Sequence, residues 1–237
     1  YTRAFEYLQK AAGLDPDRSS VLRRLAVVCA QLGRDDDVFR YRELLLRSSG
    51  CDSALYESIA SVYEQRGDYA AALVWFEMII EIDPRNTAIG RRAAASALRC
   101  NKAGTAVDMY KKILAYDPAA KDVTANLSEI LCAQGDYGQA CEYLHKAAAV
   151  QEEKHWIYMC LADIYGRRGK HSRAIKYYQK ALQADPDDVS TYLLLGDIYE
   201  KMGIDGNAEA LYGKAIARFP RNAQVRETRA SARLRKN

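Results

Sequence analysis

The amino-acid sequence predicts an all-α fold: a right-handed α-solenoid superhelix built from antiparallel helix pairs. Three observations carry that prediction. The stretches YESIASVYEQRG (56–67), YMCLADIYGRRG (158–169) and YLLLGDIYEKMG (192–203) read as near copies, and they begin 102 and 34 residues apart, 102 being three times 34. All five prolines keep the same step, since Pro16, Pro84, Pro118, Pro186 and Pro220 are separated by 68, 34, 68 and 34 residues. Apolar residues inside the copies recur at helical spacing rather than in alternation. A period in the range of roughly 20–50 residues marks a repeat array, in which one helical pair cannot bury both of its faces and each copy covers its neighbour.

Each element follows from the frame. Opening it at Ser53 puts Pro84 at place 32 and gives units 19–52, 53–86, 87–120, 121–154, 155–188 and 189–222. Residues 1–18 are then the second helix of a truncated unit, and 223–237 form a charged C-terminal capping helix. Places 4, 7, 8 and 11 hold Tyr56, Ile59, Ala60 and Tyr63 in one unit and Tyr192, Leu195, Gly196 and Tyr199 in another. Steps of 3, 1 and 3 put them on one face of a first helix. Place 15 is Gly33, Gly67, Gly135, Gly169 or Gly203, with Asn101 the exception. These residue types predict a left-handed helix cap.

A second apolar face runs through places 20, 24 and 27, as in Ala72, Phe76 and Ile79 or Ala208, Tyr212 and Ala215. Small residues at places 8 and 20 predict a close approach of the two helices, with the aromatics filling the next gap. Proline ends the second helix, after Asp83, Asp117 or Asp185, which suit the turn. The proline step is missing at Gly50 and Glu152. In unit 87–120, Gly90, Ala93 and Ala97 stand where large residues belong. That face buries less apolar area, so the unit is expected to be the softest joint of the array.

This pattern of small, aromatic and proline places resembles the tetratricopeptide repeat (TPR) along essentially the whole chain, most closely in units 53–86, 155–188 and 189–222. The resemblance implies that the first helices line a concave groove that holds a protein or peptide partner, as a non-catalytic scaffold. An alternative is a regulatory or docking TPR arm of a larger enzyme or of a bacterial secretion or polysaccharide-export protein. The family's best-known site clamps the C-terminal carboxylates of chaperones. Arg91 and Asn126 fit that clamp, but Ala95, Trp156 and Cys160 occupy its other three places, which argues against it.

If the interlocking places are structure, selectivity lies in the exposed first-helix places 2, 5, 6, 9, 12 and 13. In the N-terminal half these include Arg23, Arg24, Arg91 and Arg92, with Glu57 and Glu64 among them. The C-terminal half shows Asn126, Trp156, Met159, Asp163, Leu193, Leu194 and Asp197. A basic stretch thus leads into an apolar one edged with acids. An accessible Trp156 is suited to anchor a partner's side chain; packing against the loop at 149–154 or a neighbouring helix is the alternative. The arginine pairs are suited to bidentate carboxylate contacts, the alternative being that they are solvated or paired with Glu57 and Glu64.

Bulk properties narrow the classes. The net charge is +4, yet residues 221–237 hold six Lys/Arg against Glu227, leaving 29 basic and 30 acidic residues in the rest. A near-neutral body argues against a nucleic-acid partner. No apolar run is long enough for a membrane span. Six scattered cysteines without a C-x-x-C pair read as inert thiols and favour a reducing, cytoplasmic compartment; a leader trimmed from before Tyr1 would leave the periplasm open. Three histidines (His145, His155, His171) are too few and scattered for a metal site, and His155 and His171 read as surface residues. No cofactor, metal or catalytic constellation is expected. The start at Tyr1, inside a unit, suggests a fragment and an open N-terminal end through which copies could self-associate.

Overall fold

A computed structural model describes residues 1–15, 18–49 and 52–234. Pro16, Gly50, Cys51 and the last three residues of the cap lie outside the described residues. Fourteen α-helices and no strand make up the described chain: α1 (Thr2–Leu14), α2 (Ser19–Leu32), α3 (Asp35–Ser49), α4 (Ser53–Gln65), α5 (Tyr69–Ile82), α6 (Thr87–Arg99), α7 (Ala103–Tyr116), α8 (Lys121–Ala133), α9 (Tyr137–Val150), α10 (His155–Arg167), α11 (His171–Ala184), α12 (Val189–Lys201), α13 (Asp205–Arg218) and α14 (Ala223–Leu234). Every second helix from α2 onward starts 34 residues after the last, at 19, 53, 87, 121, 155, 189 and 223. Short loops make successive helices antiparallel neighbours, the arrangement of an α-solenoid. None of the described helices is long and apolar enough to cross a membrane.

Local chemistry sets both ends of the helices. Side-chain oxygens of Asp52, Asp68, Asn86 and Asp136 accept the amide hydrogens of Leu55, Ala71, Ile89 and Gln139, three residues on. Those bonds satisfy donors that a helix start leaves open. At the other end, the glycines of place 15 have φ between 66 and 79° and Asn101 has φ 57°. With that residue left-handed, the next amide reaches back five positions: Asp68 to the Tyr63 carbonyl at 2.9 Å, Lys102 to Ala97 at 2.8 Å, Lys170 to Tyr165 at 2.9 Å. This is the double-bonded cap that suits glycine, with asparagine as the usual substitute. Asp83 and Asp185 accept from the amides of Arg85 and Asp187, tightening the proline turns.

The chain divides into two compact units, Tyr1–Val123 and Thr124–Asn237, with the division inside α8. In the first unit, Trp75 of α5 is buried, stacked on Phe39 at 5.1 Å and tilted against Tyr56 at 5.4 Å. Tyr63 is buried, and its hydroxyl donates to Asp35 at 2.6 Å, tying α4 to the start of α3. The alanine-rich face of α6 is fully buried at Ala93, Ala94 and Ala97, and a Cβ on Gly90 would lie 3.1 Å from Ile113. Helices there close on small side chains.

The second unit holds a cluster of Ala162, Ala174, Tyr178, Leu195, Tyr199 and Tyr212. Gly196 lets α12 lie directly on the Tyr212 ring, whose hydroxyl donates to Glu200 at 2.8 Å. The capping helix α14 docks through Val225, fully buried against Tyr192 and Ala215.

Two outcomes follow from this packing. Gly196→Val would drive a side chain into the Tyr212 ring, which burial and its bond to Glu200 hold in place, and should cost about 1–3 kcal/mol, read as a lower urea midpoint. Hydrogen exchange should reach the amides of 87–120 before those of 155–188, because the α6 face buries less apolar area; equal protection in the two segments would refute that.

Candidate functional site

The solvent-facing places of the first helices form one wall in each unit. In the unit Tyr1–Val123, Arg92 is the hub. Its guanidinium donates to Glu57 at 2.9 Å, to the Ser61 hydroxyl at 2.7 Å and to Glu64 at 2.6 Å, and lies 4.7 Å from the Phe76 ring centroid. Arg91 forms a bidentate pair with Asp122, at 2.7 and 3.2 Å, with Asp117 at 4.0 Å. The hydrogen bond from Arg91 outweighs partial burial and holds the Asp122 carboxyl below its usual range. Arg23 pairs with Asp52 at 2.9 Å, whereas Arg24 is exposed. Three of the four arginines that the sequence singles out are therefore matched by carboxylates of their own unit.

In the unit Thr124–Asn237 the wall is apolar at its centre. Trp156 is half-buried, and its indole N–H donates to Gln151 at 3.2 Å, so the loop before α10 steadies the ring. The Thr191 hydroxyl donates to the Asp188 carboxylate, and the Met159 sulfur lies 3.0 Å from the same hydroxyl across the gap between α10 and α12. Leu193 is half-buried against the core, while Leu194, next to it, is 41% exposed. Asp163 and Asp197 are engaged along their own helices, with Arg167 at 2.8 Å and Lys201 at 2.6 Å. Asn126 on α8 is exposed.

His155 is more than a surface residue. Its Nδ1 lies 3.2 Å from the Ala181 carbonyl and its Nε2 3.3 Å from Asp188, the residue that caps α12, so the ring links three helices. His171 is half-buried with its Nδ1 enclosed, and His145 meets the Tyr177 hydroxyl at 2.9 Å. Among the described residues no three His, Cys, Asp or Glu side chains converge as a metal site. Burial is the leading cause that pushes the thiols up: Cys29 and Cys160 from 9.0 to about 11, Cys132 and Cys141 in the same direction. Protonated thiols are poor nucleophiles and poor metal ligands.

Asp122 and Ser61 escaped the sequence reading, as did the bridging role of His155. Their signal is present but faint: partners on neighbouring first helices lie about one period apart, 31 residues for Arg91 and Asp122, 28 and 35 for Arg92 with Glu64 and Glu57.

Sequence profiles described as tetratricopeptide or TPR repeat match residues 53–86, 123–155, 162–203 and 189–222. No curated protein sequence matches the chain. Among solved structures, MamA is 21% identical, with a TM-score of 0.59, over 73% of this chain and 94% of its own. The C-terminal part of a TPR repeat-containing protein from Cytophaga hutchinsonii is 15% identical, with a TM-score of 0.63, over 96% and 94%. YrrB, a TPR protein with an unusual peptide-binding site, is 17% identical, with a TM-score of 0.56, over 78% and 95%. At these identities the likeness is one of fold.

Cysteine alkylation gives a direct check on the thiols. At pH 8 a thiol held near 11 carries about a hundredfold less thiolate than one at 9.0. Iodoacetamide should therefore modify Cys160 about a hundredfold more slowly in the folded chain than in urea, with the rate climbing about tenfold per pH unit up to pH 11, as followed by peptide mass spectrometry.

Proposed function

This chain belongs to the tetratricopeptide-repeat family, and on that footing we propose that it is a non-catalytic scaffold that holds a peptide segment or protein surface against its first helices. One observation carries the reading: Trp156 and Leu194 stand on α10 and α12 outside the buried core, Met159 and Leu193 lie beside them only partly buried against it, and solvent reaches all four. Apolar side chains left accessible on a structured wall are the usual anchors of a partner. A peptide-binding TPR neighbour of similar fold supports the same reading. The family's ordinary role is scaffolding rather than catalysis, and the protonated thiols and outward carboxylate pairs agree with it.

Recognition on this wall is apolar first. The Gln151 bond holds the Trp156 indole in one orientation, so less side-chain freedom is lost when a partner covers it. Asp163 and Asp197 then edge the apolar strip, in balance with Arg167 and Lys201.

Trp156→Ala and Leu194→Glu should each weaken a partner captured from the source cell by about thirtyfold, the scale of a hot-spot residue worth about 2 kcal/mol. Arg91→Glu tests the basic wall in the same pull-down. A partner retained undiminished by all three variants overturns the proposal. Of the two tryptophans, Trp75 is 1% exposed, so partner binding should reduce acrylamide quenching of Trp156 and leave Trp75 unchanged.

A further inference from the structure

We propose that the outer face of α11 docks an acidic protein segment, one apolar side chain of which enters the hollow between α11 and α13. This face belongs to second helices, not to the first helices of the α10 and α12 wall, so the two readings stand independently.

From Ile164 to Ala184 the sequence holds six Lys/Arg and no acid. Arg167 is paired with Asp163, but among the described residues no carboxylate pairs with the other five, Arg168, Lys170, Arg173, Lys176 and Lys180. Glu142 on the neighbouring α9 is itself engaged by Lys146. Helical geometry puts Arg173, Lys176 and Lys180 on one side of α11, in steps of about 4.5 and 6 Å along its axis. Tyrosines hold two of these cations in place. Arg173 lies 5.5 Å from the Tyr165 ring centroid and Lys180 5.4 Å from that of Tyr177, and the two rings stack at 5.4 Å. His145 on α9 steadies Tyr177: its Nδ1 donates to the Cys141 carbonyl at 2.6 Å, which leaves Nε2 to accept the tyrosine hydroxyl at 2.9 Å. Cations already oriented lose less freedom when a partner's carboxylates arrive.

Beside this stripe a hollow of about 470 Å³ opens between α11 and α13. Gln179, Gln183, Asn207 and Lys214 stand exposed around it, with Leu182 and Leu211 half-buried, and no acidic residue lines it. Lys214 therefore adds to the positive charge. Such a hollow comes from the meeting of adjacent second helices: another of about 430 Å³ lies between α5 and α7, edged there by Glu77 and Glu81.

The surroundings select among polyanions. Tyr165 and Tyr177 stack on each other and lie under Arg173 and Lys180, so nucleotide bases find no free platform. Between residues 164 and 184 no large apolar side chain is exposed to enter a lipid headgroup layer. An acidic segment meets both features. Alternate side chains of an extended chain stand about 6.6 Å apart, close to the step between cations, and a leucine between them fits the hollow. The exposed amides of Gln183 and Asn207 can pair with its backbone.

Fluorescence anisotropy with fluorescein-labelled short peptides tests this. All carry one central Leu, and their other residues alternate Gly with Glu, Ser or Lys. The Glu peptide should bind the 237-residue chain about tenfold more tightly than the Ser peptide, with the gap closing as salt rises, and the Lys peptide should not bind. Arg173→Glu combined with Lys176→Glu should weaken the Glu peptide about tenfold. Arg40→Glu combined with Arg47→Glu, an equal change of charge on α3, should leave it unchanged. All four side chains are exposed, and an unaltered urea midpoint checks that the fold is kept. Ala210→Phe fills the hollow from an exposed place, and should weaken the Glu peptide but not a version with Ser in place of its Leu. Equal loss in the two double variants, indifference to Arg173→Glu with Lys176→Glu or to Ala210→Phe, or no binding at all overturns the proposal. Tighter binding of a labelled oligouridine, or of phosphatidylserine vesicles, would make a nucleic acid or a membrane the occupant and overturn it too. None of these results bears on the α10 and α12 wall, which Trp156→Ala tests by capture of its own partner.

Discussion

The structure depends on the close approach of two helices at small residues. Where Gly196 lies on Tyr212, or where Ala93, Ala94 and Ala97 are fully buried, backbones come near enough that an aromatic or branched side chain from the next helix fills the space beyond. A pair of helices joined this way still has an apolar face left over, and only another pair can cover it. Stability therefore accrues by neighbours, and the residues that interlock must recur at one period. The same requirement fixes the left-handed caps: the chain has to reverse within a few residues to bring the second helix onto the first, and glycine or Asn101 lets it do so.

That constraint divides the residues by task. A position committed to interlocking is buried and cannot reach a ligand, so recognition falls to first-helix places between them. On the wall of the unit Tyr1–Val123, much of this surface is occupied by the protein's own ion pairs. Arg92 spans Glu57, Ser61 and Glu64 because these residues face it from the preceding first helix. Partly exposed pairs are each worth up to about 1 kcal/mol, but a guanidinium with three partners in fixed geometry is slow to exchange them for a ligand's carboxylate. Charge count alone overstated the free positive charge of this wall.

The period, the helix starts and the caps were readable before any coordinates, since each is written in residue types whose backbone preferences are local: glycine and Asn101 for positive φ, Asp68 and Asn86 for helix starts, proline for stops. The alternatives at Trp156 and at Arg92 were readable too, because Gln151 is close in sequence and Glu57 and Glu64 lie about one period back. Other features were not. Trp75 stacks on Phe39 and lies tilted against Tyr56 through a place the sequence pattern did not mark as core. His155 joins Ala181 to Asp188 only because three helix ends meet there.

The two walls differ in what they can offer a partner, and the difference follows from where each charge has gone. Asp163 and Asp197 are bound to cations one helical turn on, and those pairs sit at 47–63% side-chain exposure, where water screens them. A partner on α10 and α12 thus gains mainly by covering Trp156, Met159 and the two leucines, and its charges matter for what they avoid. On the wall of the unit Tyr1–Val123 the balance is reversed, because Arg23, Arg91 and Arg92 lie there with carboxylates of their own. Affinity on the α10 and α12 wall should scale with apolar contact, whereas on the other wall a partner's charges must compete with pairs already made. A repeat array can hold both kinds of selectivity in one chain because the interlocking residues leave these places free to diverge.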